Sequence, residues 1–189
     1  YVDLNAISPR TAEAVANTVT GAGCRFADGS ICGHPPGTHG LSPAIYASGP
    51  GAADFGAFRQ HDLDIRVLDA PVGAASAIKI CQAGMTKGCT ALASLMILAA
   101  ARHGIGEVLR DEIRDSHAAG LYQYLQPAML RMFDKAHRFA GEMQQIGEFL
   151  DDAAGAAVFE AFSEVYRNLA EDRRGANAAI GELRAFVRD

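Results

Sequence analysis

The 189-residue chain has no run of basic residues, no C-x-x-C pair and no uninterrupted apolar run of membrane-spanning length. Each absence closes off a class of function. Without a basic patch, and with a net charge of −5, the chain is not expected to bind nucleic acid or a membrane surface. The four cysteines, Cys24, Cys32, Cys81 and Cys89, have no metal-ligand spacing, so no metal is expected. If Cys81 and Cys89 share a helix, a rise of ~1.5 Å per residue sets them about 12 Å apart, beyond disulfide reach. Reduced thiols in a cytoplasmic protein are the expectation. The longest apolar run, Ala91 to Ala101, is too short to cross a bilayer and reads as a core helix. No secretory signal is visible. Also absent is G-x-G-x-x-G, the turn that seats a dinucleotide pyrophosphate at the first strand–helix junction. The chain opens on Tyr1-Val2-Asp3-Leu4-Asn5, which already reads as a buried strand, so further sequence upstream is expected.

What is present suffices for a core: 49% of residues are apolar and 21% charged, an ordinary globular balance. The first seventy residues read as α/β. Val2–Asn5 is a predicted strand. Ser8 can cap the next helix, Pro9 suits its first turn, and Gly21 and Gly23 end it near Ala22. Further strands are predicted at Cys24–Ala27, Ala44–Ala47 and Asp64–Leu68, with a turn-forming stretch from Gly29 to Gly37. From Pro71 onward alanine, leucine and methionine dominate. One long helix is predicted from Val72 to His103, apolar and therefore buried on nearly every face, with Gly104 closing it. Shorter helices follow at about Gly106–Ser116, His117–Leu125, Pro127–Leu150, Ala154–Ala170 and Arg173–Val187. The predicted architecture is a partial α/β, Rossmann-like sheet (residues 1–70) followed by an all-α C-terminal domain (71–189), joined by a long interdomain helix.

On that helix four polar residues share a narrow stripe. At 100° per residue with Lys79 at zero, Ser76 lies at about +60°, Gln82 at about −60° and Thr86 at about −20°. An unpaired lysine is costly to bury, so the stripe should face a polar cleft; the plainer alternative is a lysine whose ammonium reaches solvent. Lys87, about 80° off the stripe, reads as an ordinary solvated residue.

Four segments, in order, carry a family resemblance. Gly73-Ala74-Ala75-Ser76-Ala77-Ile78-Lys79 resembles the G-x-x-x-x-x-K opening of the interdomain helix in 3-hydroxyisobutyrate and 6-phosphogluconate dehydrogenases, of the β-hydroxyacid dehydrogenase family. Val2-Asp3-Leu4-Asn5 with Ser8-Pro9 resembles that family's late Rossmann strand and its loop. Asp28-Gly29-Ser30-Ile31-Cys32-Gly33 resembles its acid-binding D-x-x-[VI]-S-G-G turn. Tyr46-Ala47-Ser48-Gly49 stands where a later strand ends in Gly-Gly. The match covers about residues 1–105, and D-L-N-x-x-S-P with K-x-x-x-x-x-x-x-K-G places the chain nearest the branch with a lengthened helical C-terminal domain.

The resemblance implies an NAD- or NADP-dependent oxidoreductase in which hydride passes to nicotinamide while Lys79 moves the hydroxyl proton of a small 3-hydroxy acid or related alcohol. It implies substrate contacts at Cys32, Gly33, His34 and Gln82, with Lys135 and Arg138 as candidates to neutralise a substrate acid group, and cofactor contacts at Asn5, Ser8 and Pro9. Three departures bear on the substrate: Ala83 stands where the family has asparagine, with Gln82 one place earlier; Cys32 replaces the turn's serine; His34 replaces its second glycine. The helical half implies a homodimer. The alternative from another class is a non-catalytic helical dimerisation module derived from such an enzyme.

Overall fold

The computed structural model describes residues 1–33 and 42–188. By its internal contacts the chain divides into two compact units, Tyr1–Gln82 and Ala83–Asp189, the division falling inside the long helix.

The first unit holds a four-stranded mixed sheet of β1 (Val2–Asp3), β2 (Ala27–Cys32), β3 (Ala44–Ser48) and β4 (Ile65–Val67), in that spatial order. β1 runs parallel to β2, with Asp3 opposite Asp28; β2 and β3 are antiparallel, with Asp28 opposite Ser48; β3 and β4 are parallel. Helix α1 (Pro9–Gly21) follows β1 as expected: Ser8 accepts the amide of Thr11 at 3.1 Å, and Pro9 occupies the first turn, where no amide hydrogen is needed. Ile45, Ala47, Ala52 and Ile65 form a small core beneath Phe55.

The second strand is displaced from its predicted place. Asp28-Gly29-Ser30 has the composition of a turn, yet it is the middle of β2, buried except at Ile31. Tertiary demands explain the choice. A side chain at Gly29 would sit 2.5 Å from Leu4 Cδ2 and 2.9 Å from the Asp3 carbonyl, so the adjoining chain admits only glycine. A second element, α2 (Ala52–Gly56) with the 3₁₀ turn Ala57–His61, is too short to announce itself by periodicity.

Helix α3 (Ala74–Arg102) runs 29 residues, and Gly104 follows it with φ of 68°, the left-handed closing position expected. By length and composition alone it could cross a bilayer, with a mean hydropathy of 1.4 over its most apolar stretch. It is not buried all round. Met85 (74% exposed), Leu92 (52%) and Met96 (55%) face outward, correcting the expectation of a helix enclosed on nearly every face. Its inward face in the second unit is cut from small residues: the α-carbons of Gly84 and Gly88 lie so near Phe159 and Phe162 that a Cβ would approach within 3.3 Å.

The second unit adds α4 (Gly106–Asp115), α5 (Ala119–Met132), α6 (Ala136–Leu150), α7 (Ala153–Arg174) and α8 (Ala178–Arg188). Three boundaries differ from the expected ones, the first being a break between Met132 and Ala136 within the helix predicted over Pro127–Leu150. Pro127 starts no helix; it lies within α5, because buried Tyr122, Leu125, Met129 and Met132 carry one apolar stripe straight through it. Glu171-Asp172 is not a break either. α7 continues to Arg174, and the Asp172 carboxylate accepts the Ala178 and Ile180 amides at 2.9 Å, capping α8 from outside it. At Asp151-Asp152 the break stands: Asp151 is left-handed, and Asp152 caps α7 through the Gly155 amide.

Candidate active site at the start of the long helix

No residue just before α3 can cap it, since Pro71-Val72-Gly73 offers no side-chain acceptor for the unpaired first amides. The cap comes from the sheet. Asp28, 1% exposed in the middle of β2, accepts four hydrogen bonds. Its Oδ2 takes the Gly73 amide at 3.0 Å, the Ser76 amide at 3.0 Å and the Ser48 hydroxyl at 3.1 Å, and its Oδ1 takes the Ser76 hydroxyl at 2.6 Å. Ser48, opposite Asp28 on β3, in turn accepts the Ala75 amide at 3.1 Å. The carboxylate also lies where the helix dipole is positive, which favours negative charge. Gly73 permits the approach: its φ is +95°, and a Cβ there would stand 3.1 Å from Pro9 Cβ.

Lys79 follows Ser76 by one turn. It is half-buried and has no hydrogen-bonding or ionic partner among the described residues. Of the predicted stripe, Ser76 is buried and spent on Asp28, Gln82 is exposed and Thr86 half-buried.

Cys32 ends β2, buried, with its sulfur 3.9 Å from the Ser30 hydroxyl. Gly33 follows it, exposed, at φ of +124°. His34 lies outside the described residues. Asn5 is exposed and donates through its side-chain amide to the buried Asp3 at 2.9 Å. Ser8 and Pro9 close the first turn of α1, and Pro9 lies against Gly73. Asn5, Ser8, Pro9, Cys32, Gly33, Lys79 and Gln82 thus all belong to the first unit. Lys135 and Arg138 belong to the second, where both are exposed at the start of α6.

Sequence reasoning quoted Asp28 only within a turn motif and missed its role. The signal available was the long helix with no cap of its own, which implies an acceptor from elsewhere. It also misplaced Lys87. That residue is not an ordinary solvated lysine: it pairs with Glu142 of α6, stands 4.4 Å from the Phe139 ring centroid, and its carbonyl accepts the Tyr166 hydroxyl at 2.7 Å.

For a dinucleotide, the described residues do not by themselves fit. A pyrophosphate needs open backbone amides at a glycine-rich helix start. The start of α1 is closed by the Ser8 side chain and Pro9, and that of α3 by Asp28, a carboxylate that repels phosphate.

A mixed sheet carrying a long helix into a helical bundle is the architecture of proteins similar to 3-hydroxyacid dehydrogenases. Residues 100–169 match the model of a domain of unknown function, DUF1932, and the chain as a whole shares its fold with 3-hydroxyacid dehydrogenase-like proteins. One solved relative is the conserved protein MTH1747 of unknown function, whose structure reveals structural similarity with 3-hydroxyacid dehydrogenases. It is 26% identical, with a TM-score of 0.74 over 92% of this chain. A conserved hypothetical protein from Sinorhizobium meliloti 1021 is 20% identical, with a TM-score of 0.75 over 98% of this chain. Psf3, solved in complex with NADP+ and 2-OPP, has the same fold at 17% identity and a TM-score of 0.57 over 98% of this chain. The chain spans 66%, 65% and 67% of those three chains. Comparison with curated proteins finds no match.

Proposed function

We propose that this chain is part of an NAD- or NADP-dependent oxidoreductase acting on a small 3-hydroxy acid or related alcohol, with Lys79 as the proton carrier. The observation that carries the reading is Lys79 itself: a half-buried lysine, unpartnered among the described residues, one turn beyond a helix start that the sheet holds in place. The dehydrogenase-related fold and an NADP+-bound structural neighbour support the class. Asn5, Ser8 and Pro9 are the proposed cofactor contacts, and the role proposed for Lys79 is to carry the proton. A nicotinamide would supply the hydride acceptor; Nζ accepts the hydroxyl proton as the carbinol becomes a carbonyl and returns it when the reaction runs in reverse. Cys32, Gly33, His34 and Gln82 are the proposed substrate contacts, and Lys135 and Arg138 the proposed acid-group partners.

Turnover of Lys79→Met, measured on the full-length protein with a panel of 3-hydroxy acids, should fall by at least about two orders of magnitude, with dinucleotide affinity little changed. Turnover near wild type would remove Lys79 from the mechanism. The outward apolar residues of α3 favour a second reading, a non-catalytic dimerisation module. That reading predicts a stable dimer with no turnover in either protein.

A further inference from the structure

We infer that Asp28 is the positioning residue for Lys79, setting the rotation and depth of the helix that carries it. An ordinary N-cap comes from the residue next to the helix, and such a cap satisfies amides while leaving the helix free to turn with its own loop. Here the acceptor stands on a strand 45 residues before Gly73 and 48 before Ser76. A second strand joins through Ser48, which touches both Asp28 and the Ala75 amide. The first turn of α3 is therefore referenced to two strands of the sheet at four points, one of them the Ser76 side chain, which fixes the face of the helix as well as its end. Lys79 lies one turn on. With its ammonium roughly 8 Å from the helix axis, a rotation of about 20° would move it by ~3 Å, enough to take a proton carrier out of hydrogen-bond reach of its substrate.

This inference rests on Lys79 as the proton carrier, but its test needs no turnover. The chain has three lysines, Lys79, Lys87 and Lys135, and the last two belong to the second unit, where they serve as internal controls. The protein is reductively methylated with ¹³C-formaldehyde and the lysine methyl signals are recorded at one pH. Wild type is compared with Asp28→Asn, which removes the charge, and Ser76→Ala, which keeps the charge but removes the 2.6 Å contact. Both variants should shift the Lys79 methyl signal in the same sense, Ser76→Ala by less, while the signals of Lys87 and Lys135 stay put. The Gly73 and Ser76 amides in Asp28→Asn should exchange with solvent about tenfold faster or more. Ile65→Ala, a core truncation of the same unit away from the clamp, should leave Lys79 unmoved. Faster amide exchange with an unchanged Lys79 would reduce Asp28 to a cap and overturn the proposal. So would a Lys79 shift in Asp28→Asn alone, which would mark a through-space charge effect. Were Lys79→Met to keep full turnover, the proton-carrier reading would fall while these signals still decided whether Asp28 places the lysine.

Discussion

Tyr166 is fully buried and donates its hydroxyl to the Lys87 carbonyl at 2.7 Å, with its ring edge-on to Phe139 at 5.3 Å between centroids. Burial, the largest influence, pushes the phenol well above the usual tyrosine range, and the neighbouring Tyr124 and Glu142 add to it. The folded state therefore holds this proton to higher pH than the unfolded chain does. That contribution to stability is complete below the unfolded value near ~10 and is lost as pH rises beyond it. Tyr166→Phe should cost about 1 kcal/mol at pH 7 through the lost hydrogen bond, and its stability should fall less steeply with alkaline pH than that of wild type. Urea unfolding at neutral and alkaline pH checks both, and parallel pH profiles for the two proteins would refute the assignment. The same neighbourhood separates the two lysines of α3. Lys87 is held by Glu142 and the Phe139 ring, whereas Lys79 has no partner among the described residues.

Helix α5 is the element whose sequence works against it. Pro127 sits at its ninth position with no amide to donate and is itself exposed, while the stripe Tyr122, Leu125, Met129, Met132 is buried on either side of it. The packing of four large side chains outweighs one missing backbone bond. Pro127→Ala should accordingly stabilise the protein by about 1–3 kcal/mol, the interior-proline penalty less the entropy the ring removes from the unfolded chain. Thermal melts would show it as a higher Tm. A lower Tm would mean that the helix uses a bend at this point. At α3 the balance runs the other way: the sequence favours a long helix throughout, and what the fold adds is the external clamp at its start. α8 is built likewise, its first amides capped by Asp172 of the preceding helix.

For the molecule as a whole, outward-facing Met85, Leu92 and Met96 on α3 and Leu121 on α5 leave more apolar surface open than scattered exposure explains. We propose that this surface is covered by a second copy, in a homodimer built mainly from residues after Pro71 and burying well over the ~1,000 Å² of a specific contact. Sedimentation equilibrium should give twice the chain mass at micromolar concentration, and Leu92→Glu with Met96→Glu should shift the protein to monomer. A monomer in the unmodified protein would reject the dimer and the dimerisation-module reading together, leaving Lys79 to be judged by turnover alone.

Periodicity, caps and composition suffice for much of this protein. Ser8-Pro9 opening α1, the length of α3, the left-handed Gly104 after it, the Asp151-Asp152 break and the order of a small sheet before a helical half all follow from local propensity, which acts over a turn or two of chain. Lys79 stands out in the sequence as a charged residue on an apolar helix, and the structure leaves it half-buried. The rest depended on partners far away in sequence. Asp28-Gly29-Ser30 has turn chemistry but forms a strand, because Gly29 must clear Leu4 and Asp28 must reach the amides of a helix 45 residues later. Lys87 looks solvated until α6 brings Glu142 and Phe139 to it. Pro127 looks like a boundary until four buried side chains are seen to run past it. Which polar group satisfies which, and which apolar face is covered, are long-range facts, and only the tertiary structure decided them.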